Sequence, residues 1–180
     1  MTGIPTAWCV VTGAPCSGKT TVLQDLEKRG FRFIPEVARV YIEEQLAKGK
    51  MLQEIRANEG QFQMSLIQTK IRIENGLPTN EVVFLDRAMP DSITYFRTAG
   101  LDPFNIIDVC KRYRYQHIFI LDRLPFIYDH ARIENEATVD FLDHQLERDY
   151  QDLGYKVIRV PVMSVFERSE FIIGHIGDTG

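Results

Sequence analysis

The residues that most restrict what this chain can fold into run from position 7 to position 30. An apolar stretch, Ala7-Trp8-Cys9-Val10-Val11, leads into Gly13-Ala14-Pro15-Cys16-Ser17-Gly18-Lys19-Thr20, and Val22, Leu23 and Leu26 follow at helical spacing before Gly30. A run of apolar residues that long suits a strand buried on both faces of a parallel sheet, and Gly30 stands where a helix terminates. The central octet is G-x-x-x-x-G-K-[ST], and each fixed residue has a physical reason. Gly13 and Gly18 let the main chain take dihedrals closed to other residues and come close to an anion. The loop then forms a nest of N–H donors at a helix N-terminus, where the helix dipole also favours negative charge. Lys19 can reach the β- and γ-phosphates, and the Thr20 hydroxyl can join the coordination of Mg²⁺. Strand, glycine loop and helix together predict ATP and Mg²⁺ binding by Gly13, Ala14, Pro15, Cys16, Ser17, Gly18, Lys19, Thr20 and Thr21.

Further apolar runs at 31–34, 82–87, 117–122 and 155–160 alternate with helical patterns at 37–48, 54–74, 90–100, 103–111, after 135 and after 164. The alternation predicts an α/β fold: a three-layer α/β/α sandwich with a five-stranded, mainly parallel sheet. At 180 residues one domain is expected, long enough to bury roughly 70% of the unfolded chain's surface. The net charge of -4 argues against general nucleic-acid binding. The basic aromatic cluster 111–115 reads as a solvated helix end. Three cysteines without metal-ligand spacing suit a reducing, cytoplasmic setting. Cys16 reads as a small loop residue. There is no run of eighteen apolar residues and no basic, apolar leader at the N-terminus, so neither membrane spanning nor export is expected.

In open α/β sheets, ligands bind beyond the carboxyl ends of the strands. Acids and bases placed there are therefore the site candidates. Glu36 follows the second strand and serves either the site or the N-terminus of the next helix; Arg39 lies one turn on. Asp86 ends a buried apolar strand, as a residue reaching Mg²⁺ or its waters must, and Arg87 beside it can hold it or a phosphate. Glu36 and Asp86 both remain candidates for the general base. Residues 123–135 are charged and irregular, which suits a lid, and an arginine there would offset charge on a transferring phosphoryl group: Arg132 first, Arg123 second. Gln61, Gln63 and Gln68 read as a polar outer helix face. The turn 161–164 reads either as part of a purine pocket or as a plain connection. Ser164-Val165-Phe166-Glu167 is a capping box opening the last helix.

The chain resembles P-loop proteins of the nucleoside-kinase-like kind, in particular the small AAA-type ATPase/kinase domain family that includes the ribosylnicotinamide kinase domain of a bacterial NAD-biosynthesis regulator. The resemblance rests on residues 13–21, P-E-V-A-R at 35–39, L-D-R at 85–87 with Asp91 beyond, L-P-F-I-Y-D-H-A-R at 124–132, residues 153–161 and S-V-F-E-R at 164–168. It implies sheet order 2-3-1-4-5, ATP and Mg²⁺, and phosphoryl transfer to a small hydroxyl acceptor such as a nucleoside or ribosyl compound. The alternative within the same resemblance is an NTPase switch whose nucleotide state is read by a protein or lipid partner. No N-K-x-D guanine signature is present, so ATP is the expected nucleotide in either case.

Overall fold

The structure of the chain, a computed structural model, describes residues 3–124 and 136–177. Its main sheet contains β2 (Cys9–Thr12), β3 (Arg32–Ile34), β4 (Val83–Asp86), β6 (His117–Leu121) and β7 (Val157–Val160) in the order β3-β4-β2-β6-β7. Counting these five alone, the order is 2-3-1-4-5, and all four pairings are parallel. The register aligns the functional strand ends: Val11 of β2 sits opposite Asp86 of β4, and Thr12 opposite Ile120 of β6.

Period-two alternation on strands buried on both faces makes two cores. Cys9, Val11, Phe84, Phe119 and Leu121 point to one side, where they meet Val22, Leu23 and Leu26 of α1 (Lys19–Lys28) and Ile172 of α8 (Val165–Gly177). Val10, Val83, Leu85, Ile118 and Ile120 point to the other. There they pack with Trp8, with Ile73 of α4 (Glu59–Asn75) and with Tyr150 of α7 (Glu136–Asp152). A satellite cluster joins Ile67 of α4 to Ile93 and Phe96 of α5 (Asp91–Thr98) and Ile106 of α6 (Phe104–Cys110). α2 (Val37–Ala47) covers α4 beside β3.

Two stretches depart from the expectations of the sequence. The pattern 54–74 is two helices, α3 (Leu52–Ile55) and α4. The break falls where Asn58 accepts the Gln61 N–H at 3.0 Å, a side-chain cap that starts a new helix more favourably than it sits inside one. The cluster 111–115 is no solvated helix end. Tyr113 and Tyr115 are buried, and β5 (Tyr113–Arg114) pairs in parallel with β1 (Ile4–Pro5). The Tyr113 ring lies 4.9 Å from that of Trp8, whose Nε1 donates to the Pro78 carbonyl at 2.8 Å. Aromatic burial next to a free strand edge outweighs the local charge. The capping box of α8 forms as its residues predict: Ser164 N donates to Glu167 Oε2 at 2.9 Å and Glu167 N to Ser164 Oγ at 3.2 Å.

Candidate functional site

The phosphate loop leaves β2 at Thr12 and turns into α1 through two left-handed glycines. Gly13 has φ +141° and Gly18 φ +80°. A Cβ on Gly13 would stand 2.8 Å from the Leu121 carbonyl oxygen, so both dihedral and space require glycine there. Lys19, the first residue of α1, folds back over the loop: its Nζ donates to the carbonyls of Gly13 at 2.9 Å and Ala14 at 3.2 Å and to Ser17 Oγ at 3.3 Å. Burial, and after it Arg87, pushes the Lys19 ammonium down to about 7, against the pull of Asp86, Glu36 and Asp91. An anion in the loop would add to the counter-charge of these carboxylates and favour the charged form of the ammonium.

At the end of β4, Asp86 is buried and its Oδ1 has no hydrogen-bond partner among the described residues. Burial pushes its carboxyl up to about 6, although Arg87 and Lys19 oppose the rise. Arg87 follows in the left-handed region at φ 64°, with its N–H donating to the Val11 carbonyl at 3.1 Å. A non-glycine residue held there stores strain, and the side chain shows what the turn achieves. Arg87 Nε meets Glu36 Oε1 at 3.2 Å, Nη1 meets Asp91 Oδ1 and Thr12 Oγ1 at 3.4 Å, and the guanidinium lies 5.2 Å from the centre of the Tyr95 ring. Asp91, fully buried, is itself fixed by hydrogen bonds from the Thr12 hydroxyl, from Ala88 N at 2.9 Å and from the Tyr150 hydroxyl at 2.5 Å. Glu36 occupies the N-cap position of α2, but its side chain caps no backbone N–H and turns to Arg87 instead.

Of these groups, Lys19, Glu36 and Arg87 open onto one cavity of about 710 Å³. Residues 15–21 form one end of it, and Glu36, Arg39, Arg87 and Tyr95 the other. Its wall from α4 carries Phe62, Gln63 and Lys70. Gln63, expected on an outer face, is buried, whereas Gln61 and Gln68 are exposed. Lys70, which the sequence reading did not single out, is buried and donates to the Ala88 carbonyl and Ser92 Oγ, both at 2.9 Å. Its signal was present as the spacing of Gln63 and Lys70, seven apart and so on one helix face. Arg39 is exposed on the cavity wall and makes no ion pair among the described residues. Asp86 and Arg123 do not line the cavity, and Arg123 pairs with Asp140 of α7. Arg132 and most of the expected lid, 125–135, lie outside the described residues.

Among the described residues no group of three or more His, Cys, Asp or Glu side chains could hold a metal. A Mg²⁺ ion that enters with a nucleotide takes most of its ligands from phosphate oxygens and waters and few from protein. The Thr20 hydroxyl on the cavity wall and the unpartnered Asp86 Oδ1 are the donors that fit such an ion. No described helix is long and apolar enough to cross a membrane.

A family model described as an AAA domain matches residues 8–168. The chain belongs to the AAA domain family. It is a P-loop nucleotide-binding domain, and solved structures show the same fold at low identity. A deoxyadenosine kinase from M. mycoides with dCMP and dCDP bound superimposes with a TM-score of 0.67 at 14% identity, covering 96% of this chain and 100% of that one. A NadR protein in complex with NAD and AMP-PNP gives 0.69 at 19% identity, with 97% of this chain on 50% of that one. A thymidylate kinase from Ehrlichia chaffeensis gives 0.62 at 15% identity, with 96% and 100% coverage. Among curated proteins no sequence matches.

Proposed function

We propose that this AAA domain is a Mg²⁺-dependent kinase that transfers the γ-phosphoryl group of ATP to a hydroxyl of a nucleoside or ribosyl compound. The observation that carries this reading is the Glu36–Arg87 pair at 3.2 Å on the wall of the cavity that the phosphate loop also lines. Hydrolysis requires no room beside the phosphates for a second organic molecule, whereas this cavity continues past them to Phe62, Gln63 and Tyr95. Flat aromatic walls with a few polar groups suit a ring-bearing acceptor. That the three fold relatives named above carry bound nucleotides or are nucleoside and nucleotide kinases supports the same class.

In this mechanism the loop amides and Lys19 hold the ATP phosphates, with Thr20 and Asp86 on the Mg²⁺ side. Mg²⁺ held there would supply charge neutralisation of the phosphates. Glu36, half-exposed to the cavity, takes the proton of the acceptor hydroxyl; Asp86, buried off the cavity, is the poorer base on access alone. The acceptor oxygen forms its bond to the γ-phosphorus as the bond to the ADP oxygen breaks, and Glu36 keeps the proton. Arg87 orients Glu36 and offers its remaining N–H groups to the acceptor or the transferring group. A lid arginine, Arg132 or Arg123, would close over that group. Glu36→Gln tests the assignment: kcat falls by about 10²- to 10³-fold while KM for MgATP stays within about threefold. A variant with unchanged kcat would remove Glu36 from the chemistry.

A further inference from the structure

Arg168, in the first turn of α8, lies 151 positions beyond Ser17 in the chain yet touches the phosphate loop. It is 2% exposed, among the largest fully buried side chains of the described residues. Its guanidinium donates along three directions: Nη1 to the Ser17 carbonyl at 2.6 Å, Nη2 to the Asp122 carbonyl at 2.9 Å and Nε to the Pro161 carbonyl at 2.8 Å. Every acceptor is a main-chain oxygen. The Asp122 carboxylate is turned away to Arg159, whose Nε reaches its Oδ1 at 2.7 Å.

Among the described residues Arg168 has no carboxylate partner; burying such a cation is costly, and burial does lower the pKa of Arg168. An apolar residue would fill this space between α1 and α8 without that cost. What the guanidinium adds is its planar fork, which joins three carbonyls from three chain segments: the phosphate loop, the residue after β6 and the residue after β7. The link to Ser17 has a directional consequence. A trans peptide sets the C=O of one residue antiparallel to the N–H of the next. With the Ser17 carbonyl drawn to Arg168, the Gly18 N–H is aimed away from α8. Gly18 itself is left-handed, and a Cβ there would stand 3.3 Å from Leu124 Cδ1 and 3.5 Å from Arg168 Nη1, so the loop is closely packed on this side.

We propose that Arg168 is a positioning residue for the nucleotide phosphates, holding the Ser17–Gly18 peptide in the orientation that turns its N–H toward the phosphate cradle. The proposal rests on the nucleotide-binding reading of the loop, and acts through the loop rather than by contact with ligand. It predicts a loss confined to phosphate binding. Calorimetric titrations with MgATP, and with inorganic tripolyphosphate as a ligand of the loop alone, compare the wild type with Arg168→Lys, which keeps the charge and loses the fork. The expected result is a Kd at least tenfold weaker for both ligands in a variant whose circular dichroism is unchanged. Glu170→Ala removes the ion pair that the same helix makes with Arg29, leaving Arg168 and the phosphate loop unchanged, and its Kd values stay within twofold. Where Arg168→Lys does not fold, Arg168→Met is measured against the same criteria. A folded variant with Kd values within twofold of wild type overturns the proposal, and so does failure of both variants to fold, which makes the residue structural. If the wild type binds neither ligand, it is the nucleotide-binding reading that fails, and the proposal with it.

Discussion

At the phosphate end of the cavity the residues are consecutive, 13–21, and are held by main-chain atoms: the Lys19 ammonium rests on the Gly13 and Ala14 carbonyls, and the loop turns on left-handed Gly13 and Gly18. At the end proposed for the acceptor, Glu36, Lys70, Arg87 and Tyr95 come from the start of α2, from α4, from the end of β4 and from α5; Arg87 is held by charge pairs with Glu36 and Asp91 and lies over the Tyr95 ring, and Lys70 by hydrogen bonds to Ala88 and Ser92. An anion site made of main-chain donors needs one local sequence and a helix terminus. An acceptor site made of side chains needs the whole sheet to be in register before its parts meet. The two ends should therefore fail differently, the first in activity without loss of stability and the second in both.

Lys19→Ala is expected to have the largest effect. Turnover with MgATP falls by about 10³-fold or more, because the ammonium is the fixed charge on the phosphates. The urea midpoint stays near that of the wild type, since the removed group is a buried cation whose burial is itself unfavourable. A large stability loss in this variant would erase the contrast between the two ends.

Asp91→Ala attacks the other end. It strips partners from Thr12, Ala88 N, Tyr150 and Arg87 at once, leaving a buried guanidinium short of one counter-charge. Urea denaturation should show a loss of about 3 kcal/mol or more. In the folded variant the acceptor KM rises while KM for MgATP holds, because Arg87 is loosened and the loop is not.

A smaller effect comes from Glu74, on α4 behind the acceptor wall, which accepts the Tyr115 hydroxyl at 2.9 Å. Burial pushes its carboxyl from 4.5 up to about 7, against hydrogen bonding from Tyr115 and the charge of Lys70. Between those two values the native protein keeps a proton that the unfolded chain has lost, so this group makes stability fall as pH rises from about 4.5 to 7. The raised pKa of Asp86 acts in the same direction over a lower range. Glu74→Gln removes the first contribution: at pH 8 the variant should be more stable than wild type by up to about 3 kcal/mol, and at pH 4.5 nearly equal to it. Parallel stability curves across this range would show that the acceptor side does not depend on buried charge in this way.

The same contrast explains what could be read from the residues alone. The phosphate loop, its strand and its helix were legible because glycine dihedrals, a lysine and an apolar run are local requirements. Strand order came from resemblance, and the expected parallel character follows from helices separating the strands. The acceptor end was legible only in part. Glu36, Asp86 and Arg87 were marked by standing at strand ends, but nothing local distinguishes Gln63 from a solvated glutamine until α4 packs with that face inward. Lys70 looks like an ordinary helical lysine, and only the Ala88 and Ser92 oxygens facing it account for its burial. Arg168 was visible as the end of S-V-F-E-R, but its contact with Ser17 spans 151 positions and has no local sign. The aromatic residues 113 and 115 were misread because the strand edge that buries them comes from residues near the start of the chain.

The central claim is that the cavity holds an acceptor whose hydroxyl takes the phosphoryl group. The most direct test incubates the protein with Mg·ATP and a panel of nucleosides and ribosyl compounds, and measures ADP by coupled assay and phosphorylated product by ³¹P NMR in the same samples. The account predicts that one acceptor raises ADP formation well above the basal rate, with one phosphorylated acceptor formed per ADP. ADP release that is slow, unaffected by every acceptor and matched by inorganic phosphate would contradict it.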